Sequence, residues 1–266
     1  MAVWHYIVDN MIDFRGKTSV TLPIFHNIVD TMHQPIPPSD LAADNQTLSD
    51  QLFRKLQSAI IKGDIAPGSK MSEPELARVH GVSRGPLREA LHRLEGQRLL
   101  VRVPHAGARV VSLSPKELSE LYEIRESLEG MACRLAADRM PAQEVQQLRD
   151  VLHAHEKDAA FQAGLGYYQQ EGDYDFHYRI VKGSGNQMLF RMLCDELYQL
   201  ARMYRIQYSN TPNRPKQSYA EHHRILDAIA DGDGELAEIL MRRHIRASRL
   251  NIEQQITQGK QPKSQA

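Results

Sequence analysis

Two short apolar stripes separated by a single glycine constrain this chain more than any other feature. Leu76, Ala77 and Val79 form the first, and Leu87, Ala90, Leu91 and Leu94 the second. Ser72 and Ser83 stand before them as N-cap residues, and Pro74 and Pro86 sit where a helix tolerates proline, in its first turn. Gly81 ends the first stripe and turns the chain. The spacing predicts a helix from Glu73 to His80 and another from the Ser83 cap through Glu95, which is a helix-turn-helix plan.

The flanks complete the unit. Leu48, Leu52, Phe53, Leu56, Ile60 and Ile61 mark one face of a preceding helix, stopped by Gly63 and then Ala66-Pro67-Gly68. Leu99 to Pro104 and Ala108 to Val111 read as two β-prone segments joined by a turn at His105-Ala106-Gly107, a hairpin wing. Beyond Ser114-Pro115 the pattern is helical over 115–138, 141–162, 166–183, 186–208, 215–230 and 233–256, without strand-like alternation. The expected fold is mostly α: a winged helix-turn-helix over 46–113, then an all-α bundle over 114–256. Residues 1–45 lack a sustained period and end in a proline-rich run, Gln34 to Asp40, so they are expected to be a mobile extension, or to precede a true start near Met32. Residues 257–266 are expected to form a disordered tail.

Net charge is zero, which hides an asymmetry. Residues 46–113 carry 11 Lys and Arg against 6 Asp and Glu, whereas residues 114–255 carry 18 against 22. Only the first segment suits a phosphate backbone. The two cysteines, Cys133 and Cys194, lie far apart with no CxxC spacing, which suggests neither a disulfide framework nor a thiolate zinc site and fits a reducing cytoplasm. No apolar run approaches the ~20 residues of a membrane helix, and Asp9 and Asp13 lie where a signal peptide is basic, so neither membrane insertion nor secretion is expected.

Ser83, Arg84, Gly85 and Arg88 occupy the N-terminal end of the third helix, where free amides and the helix dipole favour phosphate. Arg84 and Arg88 are one turn apart, and an arginine fork reads guanine O6 and N7 together, so both are candidate base readers. His105 and Gly107 at the wing tip suit a groove or backbone approach, and Lys70, Arg102 and Arg109 suit phosphate contacts. Two surface arginines alone are more often a solvated face. Their setting decides otherwise: the run Ser72-Glu73-Pro74-Glu75-Leu76-Ala77, Gly81-Val82-Ser83-Arg84-Gly85-Pro86-Leu87-Arg88-Glu89-Ala90-Leu91, Arg93-Leu94-Glu95 closely resembles the winged-helix signature of GntR-family regulators. The resemblance implies that Arg84 and Arg88 match the family's DNA-contacting arginines and His105 and Gly107 its wing-tip contacts. Gly85 departs from it, standing where the family often has threonine.

The second half carries Asp173-Tyr174-Asp175-Phe176-His177, Glu221-His222-His223-Arg224-Ile225 and Met241-Arg242-Arg243-His244-Ile245, each on a predicted helix. Asp173 and His177, four apart, share a helix face, and one histidine from each of the other two helices closes a three-histidine, one-aspartate metal site. This spacing resembles the FCD effector domain of FadR-type GntR regulators, and the resemblance implies Asp173, His177, His222 and His244 as ligands. His223 falls about 100° further round and is assigned to the outside; Asp175, two residues from His177, is expected to face away. Imidazole and carboxylate ligands suit Zn, Ni, Mn or Fe alike. The FCD association with small carboxylates implies an organic acid effector, for which Arg125 is a candidate second anchor; its alternative role is a solvated partner of Glu129.

These readings converge on a cytoplasmic, homodimeric, DNA-binding regulator. It is expected to act as a repressor, not an enzyme, on a two-fold operator duplex read by recognition helices ~34 Å apart. The rival is a metal-dependent hydrolase with an accessory DNA-binding domain, since open metal positions activate water. The sequence holds no HExxH motif, phosphate-binding glycine loop or nucleophile elbow to support it.

Overall fold

The computed structural model describes residues 47–104, 107–157, 175–208, 211 and 213–258. The first helix, α1 (Leu48–Lys62), starts at a capping box: the Thr47 hydroxyl accepts from the Asp50 amide and the Asp50 carboxylate accepts from the Thr47 amide. Its buried face, Leu52, Phe53, Leu56, Ile60 and Ile61, is the stripe expected from the sequence. Helices α2 (Glu73–His80) and α3 (Arg84–Gly96) follow, joined through Gly81 at φ 63°, a left-handed conformation that costs glycine least. Ser72 and Ser83 occupy the N-cap positions in extended backbone, but neither hydroxyl bonds the helix it precedes. Leu87, Ala90, Leu91 and Leu94 are fully buried, and α3 is held to α1 by Arg93, which donates to Asp50 (2.7 Å) while lying 4.0 Å over the Phe53 ring.

The wing is larger than the expected hairpin. Strands β2 (Leu100–Val103) and β3 (Gly107–Val110) pair antiparallel, and β1 (Lys70–Met71) adds to the far side of β3, giving the order β1-β3-β2. Two residues are too few to show a strand period, so pattern alone could not find β1. Gly107 opens β3 at φ 82°, and so its glycine serves the backbone as well as any close approach to DNA.

Helix α4 (Pro115–Arg139) begins at a second capping box, Ser114 with Glu117, and is followed by α5 (Ala142–Glu156), α6 (Phe176–Gly183) and α7 (Gln187–Phe190). A π-helical turn, Arg191–Leu197, continues α7 directly into α8 (Tyr198–Tyr208); α9 (Arg214–Ala230) and α10 (Gly234–Thr257) complete the bundle. The mostly α class, with a small sheet after the first helices and a helical second half, is the one expected. One local expectation fails. Of the helix expected over 166–183, residues 166–174 lie outside the described residues, and the described part starts only at Phe176, because the extended Asp175 (φ −93°, ψ 127°) caps it by accepting from the His177 and Tyr178 amides. Helix α10 is still helical at Thr257. The expected extension 1–45 and tail residues 259–266 lie outside the described residues. Among the described residues, no helix is long and apolar enough to cross a membrane.

The bundle's centre is the long seam between α4 and α10. A Cβ on Gly130 of α4 would come within 2.9 Å of Arg242 Cγ and 3.2 Å of Glu238 Cγ on α10, so the helices approach more closely there than a side chain allows. Replacing Gly130 with leucine is expected to overpack this seam and destabilise the folded protein by about 1–3 kcal/mol. Urea unfolding of the variant checks this, and Arg242→Ala in the same background should recover part of the loss.

Candidate metal centre and nucleic-acid interface

Three histidines from three helices meet in the bundle core. His177 (α6), His222 (α9) and His244 (α10) are 6%, 0% and 4% exposed, and their candidate ligand atoms lie within 4.8 Å of one another. His244 Nε2 is 3.2 Å from His222 Nε2 and 3.3 Å from His177 Nε2. Phe176 stacks on the His222 ring at 4.1 Å, fixing its plane.

The outer nitrogens decide the chemistry. His177 Nδ1 lies 2.7 Å from Glu129 Oε2, and His244 Nδ1 lies 2.6 Å from Glu221 Oε2. Burial opposes the charge on both glutamates. In Glu129, Arg125 and His177 outweigh it and hold the carboxyl at about 2; in Glu221 the bond to His244 and Arg214 outweigh it and hold the carboxyl low. Both are therefore acceptors, and each imidazole must place its hydrogen on Nδ1. For the neutral rings this turns the Nε2 lone pairs of His177 and His244 toward each other. Burial, and then the neighbouring histidines, push the His222 imidazole well below its usual value; burial pushes His244 down to about 4 despite Glu221. Protons are thus poorly tolerated on His222 and His244, and the Nε2 atoms of His177 and His244, 3.3 Å apart with their hydrogens on Nδ1, face each other as acceptors in the neutral rings. A divalent cation among the three histidines would relieve that opposition, and His177, His222 and His244 would hold it. The residues present fit a divalent metal.

Of the four expected ligands, the structure brings His177, His222 and His244 together. Asp173 lies outside the described residues. Helix α6 begins at Phe176 after an extended Asp175, so helical spacing from His177 does not reach back to that position. Asp175 stays out of the histidine cluster, yet it does not face solvent: it is fully buried, caps α6 and pairs with Arg205 at 2.6 Å. His223 turns away, its ring against His153 and Tyr219. Glu129 and Glu221 are the residues that sequence reasoning missed as supports of the site; Glu221's position beside His222 was the available signal.

Arg125 fits neither sequence alternative fully. Its Nε donates to Glu129 Oε1 at 2.8 Å, but the pair is buried, with Arg125 only 4% exposed. Among the described residues, Arg125, Glu129 and His177 line one small cavity, of about 20 Å³, with Tyr178, Leu193 and Arg205. Glu129 thus binds His177 with one oxygen and Arg125 with the other.

On the DNA-reading half, Ser83, Arg84, Gly85 and Arg88 are all exposed at the start of α3. A Cβ on Gly85 would meet nothing within 4 Å, so glycine there is not demanded by the fold. Arg88 donates through Nε to Glu73 on α2 at 2.9 Å, a bond that steers the guanidinium without using its terminal nitrogens. Arg109 is turned inward onto the Gly68 carbonyl (3.0 Å); Arg102 is exposed and pairs with Glu95 through Nε (2.8 Å), which like the Arg88 bond does not use the terminal nitrogens; Lys70 is exposed. Gly107 is exposed at the wing, and His105 lies outside the described residues.

Comparison with known proteins gives two family matches: bacterial regulatory proteins of the gntR family over residues 48–110, and the FCD domain over 120–247. The chain is 32% identical over 213 residues to a probable D-xylose utilization operon transcriptional repressor of Paenarthrobacter nicotinovorans, covering 76% of this chain and 87% of that one. It is 31% identical over 198 residues to an uncharacterized HTH-type transcriptional regulator in an unstable DNA locus of Streptomyces ambofaciens, covering 74% and 81%. The solved structure of E. coli McbR/YncC shares the fold at a TM-score of 0.62 and 23% identity, covering 79% of this chain and 99% of that one.

Two outcomes are expected at the metal centre. Glu221→Gln should weaken divalent metal binding by about 10–100-fold, as loss of a ligand's hydrogen-bonding support does; competition with a fluorescent chelator measures it. In the metal-free protein, His244 gains a proton only near pH 4, whereas in the unfolded chain it does so near its ordinary value of 6.5. Between these values the unfolded state binds more protons, so stability should fall as pH drops from 6.5 toward 4. Urea midpoints across this window should fall less steeply for His244→Asn than for the parent protein.

Proposed function

Because this chain belongs to the gntR family of bacterial transcriptional regulators, with an FCD domain after its DNA-binding domain, we propose that it is a metal-dependent sensor of a small organic acid that acts as a repressor. Membership establishes a DNA-binding transcriptional regulator. The finer reading rests on one observation: three buried imidazoles from three helices meet beside a cavity that Arg125 lines. His177, His222 and His244 hold a divalent ion in this reading, with Asp173 as the proposed fourth ligand. Bound there, the ion supplies a Lewis-acidic anchor for a carboxylate oxygen. Arg125, oriented by Glu129, supplies a second positive group against the same anion, and the buried surroundings strengthen that attraction.

Residues 46–113 form the DNA-reading domain and 114–256 the effector and dimerisation domain. Arg84 and Arg88 read base edges, Ser83 and Gly85 approach the backbone beside them, and His105 and Gly107 contact DNA from the wing. The protein works as a homodimer in the cytoplasm, and the acid favours a spacing of the two recognition helices that no longer matches one turn of the duplex.

Fluorescence anisotropy on the metal-loaded protein, using duplexes from its own upstream region, tests this. A member of a panel of small di- and tricarboxylates should lower operator affinity by about 5–150-fold. Operator affinity unchanged by every acid would contradict the sensor reading. In the same assay Arg84→Ala and Arg88→Ala should each cost about 1–3 kcal/mol on the operator and relax base preference, while Lys70→Ala should weaken all duplexes alike and reduce the salt slope by about 1.

A further inference from the structure

The helical rod from Gln187 to Tyr208 touches the cavity and the DNA-reading half at once. Its π-helical turn lends Leu193, Cys194 and Leu197 to the cavity wall, and the next turn lends Ala201 and Arg205. π-Helical turns are uncommon and often sit at functional sites. Arg205 Nη2 also donates to Asp175 at 2.6 Å, the cap of the helix that carries His177. Two residues further along, Gln207 is 1% exposed, and its Nε2 donates to the Ile60 carbonyl at 2.8 Å, with the Ile61 carbonyl at 3.5 Å.

Those two carbonyls belong to the last turn of α1, where a helix lacks its own donors. Ile60 O otherwise receives only the cap amide of Gly63, at 3.2 Å. The donor therefore comes from the other half of the molecule, 147 residues away. Tyr204, on the same rod, accepts from the Leu113 amide at 2.6 Å in the segment joining the halves. Helix α1 in turn holds the recognition helix: besides the Arg93 bond to Asp50, Gln57 donates to Gln97 just after α3 at 2.6 Å. A contiguous set of polar contacts, buried at Gln207 and part-buried elsewhere, thus runs from the His177 helix through Arg205 and the rod to Gln207, α1 and α3.

We propose that Gln207 is a positioning residue that carries the state of the metal centre and its cavity to the DNA-reading half, by tying the end of α1 to the helix that walls the cavity. The inference rests on the reading of the histidine cluster as a metal site. A buried amide suits this role because its alternative to the α1 carbonyls is no partner at all, so a displacement of the rod must either drag α1 with it or break the bond outright.

Gln207→Met keeps the length of the side chain and removes the donor. Hydrogen exchange of the full-length chain and of this variant, without metal and with Mn²⁺ alone, separates the possibilities. In the metal-free proteins the variant should exchange faster than the parent in the last turn of α1, with α9 and α10 unchanged; equal rates in α1 would overturn the proposal whatever the metal does. With Mn²⁺, α9 and α10 should be protected in both proteins, while protection of the last turn of α1, about fivefold or more in the parent, should be lost in the variant. Protection of α1 that survives in the variant would also overturn it, because a residue that merely stabilises the interface would leave the metal response intact. Mn²⁺ that protects neither α9 nor α10 in either protein would sink the metal reading itself, and the metal-free comparison would still decide the role of Gln207.

Discussion

His177 and His244 face each other in a buried core through nitrogens that carry no hydrogen in the neutral rings, and the second half of this protein is organised around that contact. His177, His222 and His244 come from three different helices, and two of them are held from behind. Glu129 and Glu221 give that support, fixing tautomer and ring direction together. The glutamates need counter-charges of their own, which Arg125 and Arg214 provide. A chain of buried charges of this kind is costly unless every member is satisfied. A divalent ion at the centre is the natural completion of the set.

Much of this architecture was legible in the sequence. The stripes of α1 and α3 and the glycine between α2 and α3 could serve only a helix-turn-helix, because their apolar spacing and their breakers agree. The histidines were legible as a group, since their three segments carry the same residue type on faces with helical period. Asp175 shows where such reasoning fails. Its two-residue distance from His177 implies opposite faces only if both are helical, and its side chain instead takes the helix amides and starts the helix there. An aspartate's capping strength competes with helix continuation, and spacing alone does not say which wins.

Other features left no trace because they depend on distant partners. Strand β1 exists because Arg109 and Ala108 of β3 offer it a ladder, not because Lys70-Met71 favours a strand. Gln207 is an ordinary helical residue in the sequence, and its importance comes from a carbonyl 147 positions earlier. Arg125 looked like a choice between solvent and ligand, whereas burial beside Glu129 makes it part of the metal centre's support and part of the cavity wall at once. At the start of α3, Glu73 likewise steers Arg88 from the neighbouring helix without using the end of its guanidinium.

The claim on which the rest depends is that the three imidazoles enclose a metal ion. Elemental analysis of the full-length, untagged protein, purified without chelator and then dialysed against metal-free buffer, tests it directly. A resident ion requires about one tightly held divalent metal per chain, largely lost in His222→Ala. Protein that carries no metal and takes up none when supplied with Zn²⁺, Ni²⁺ or Mn²⁺ would contradict it.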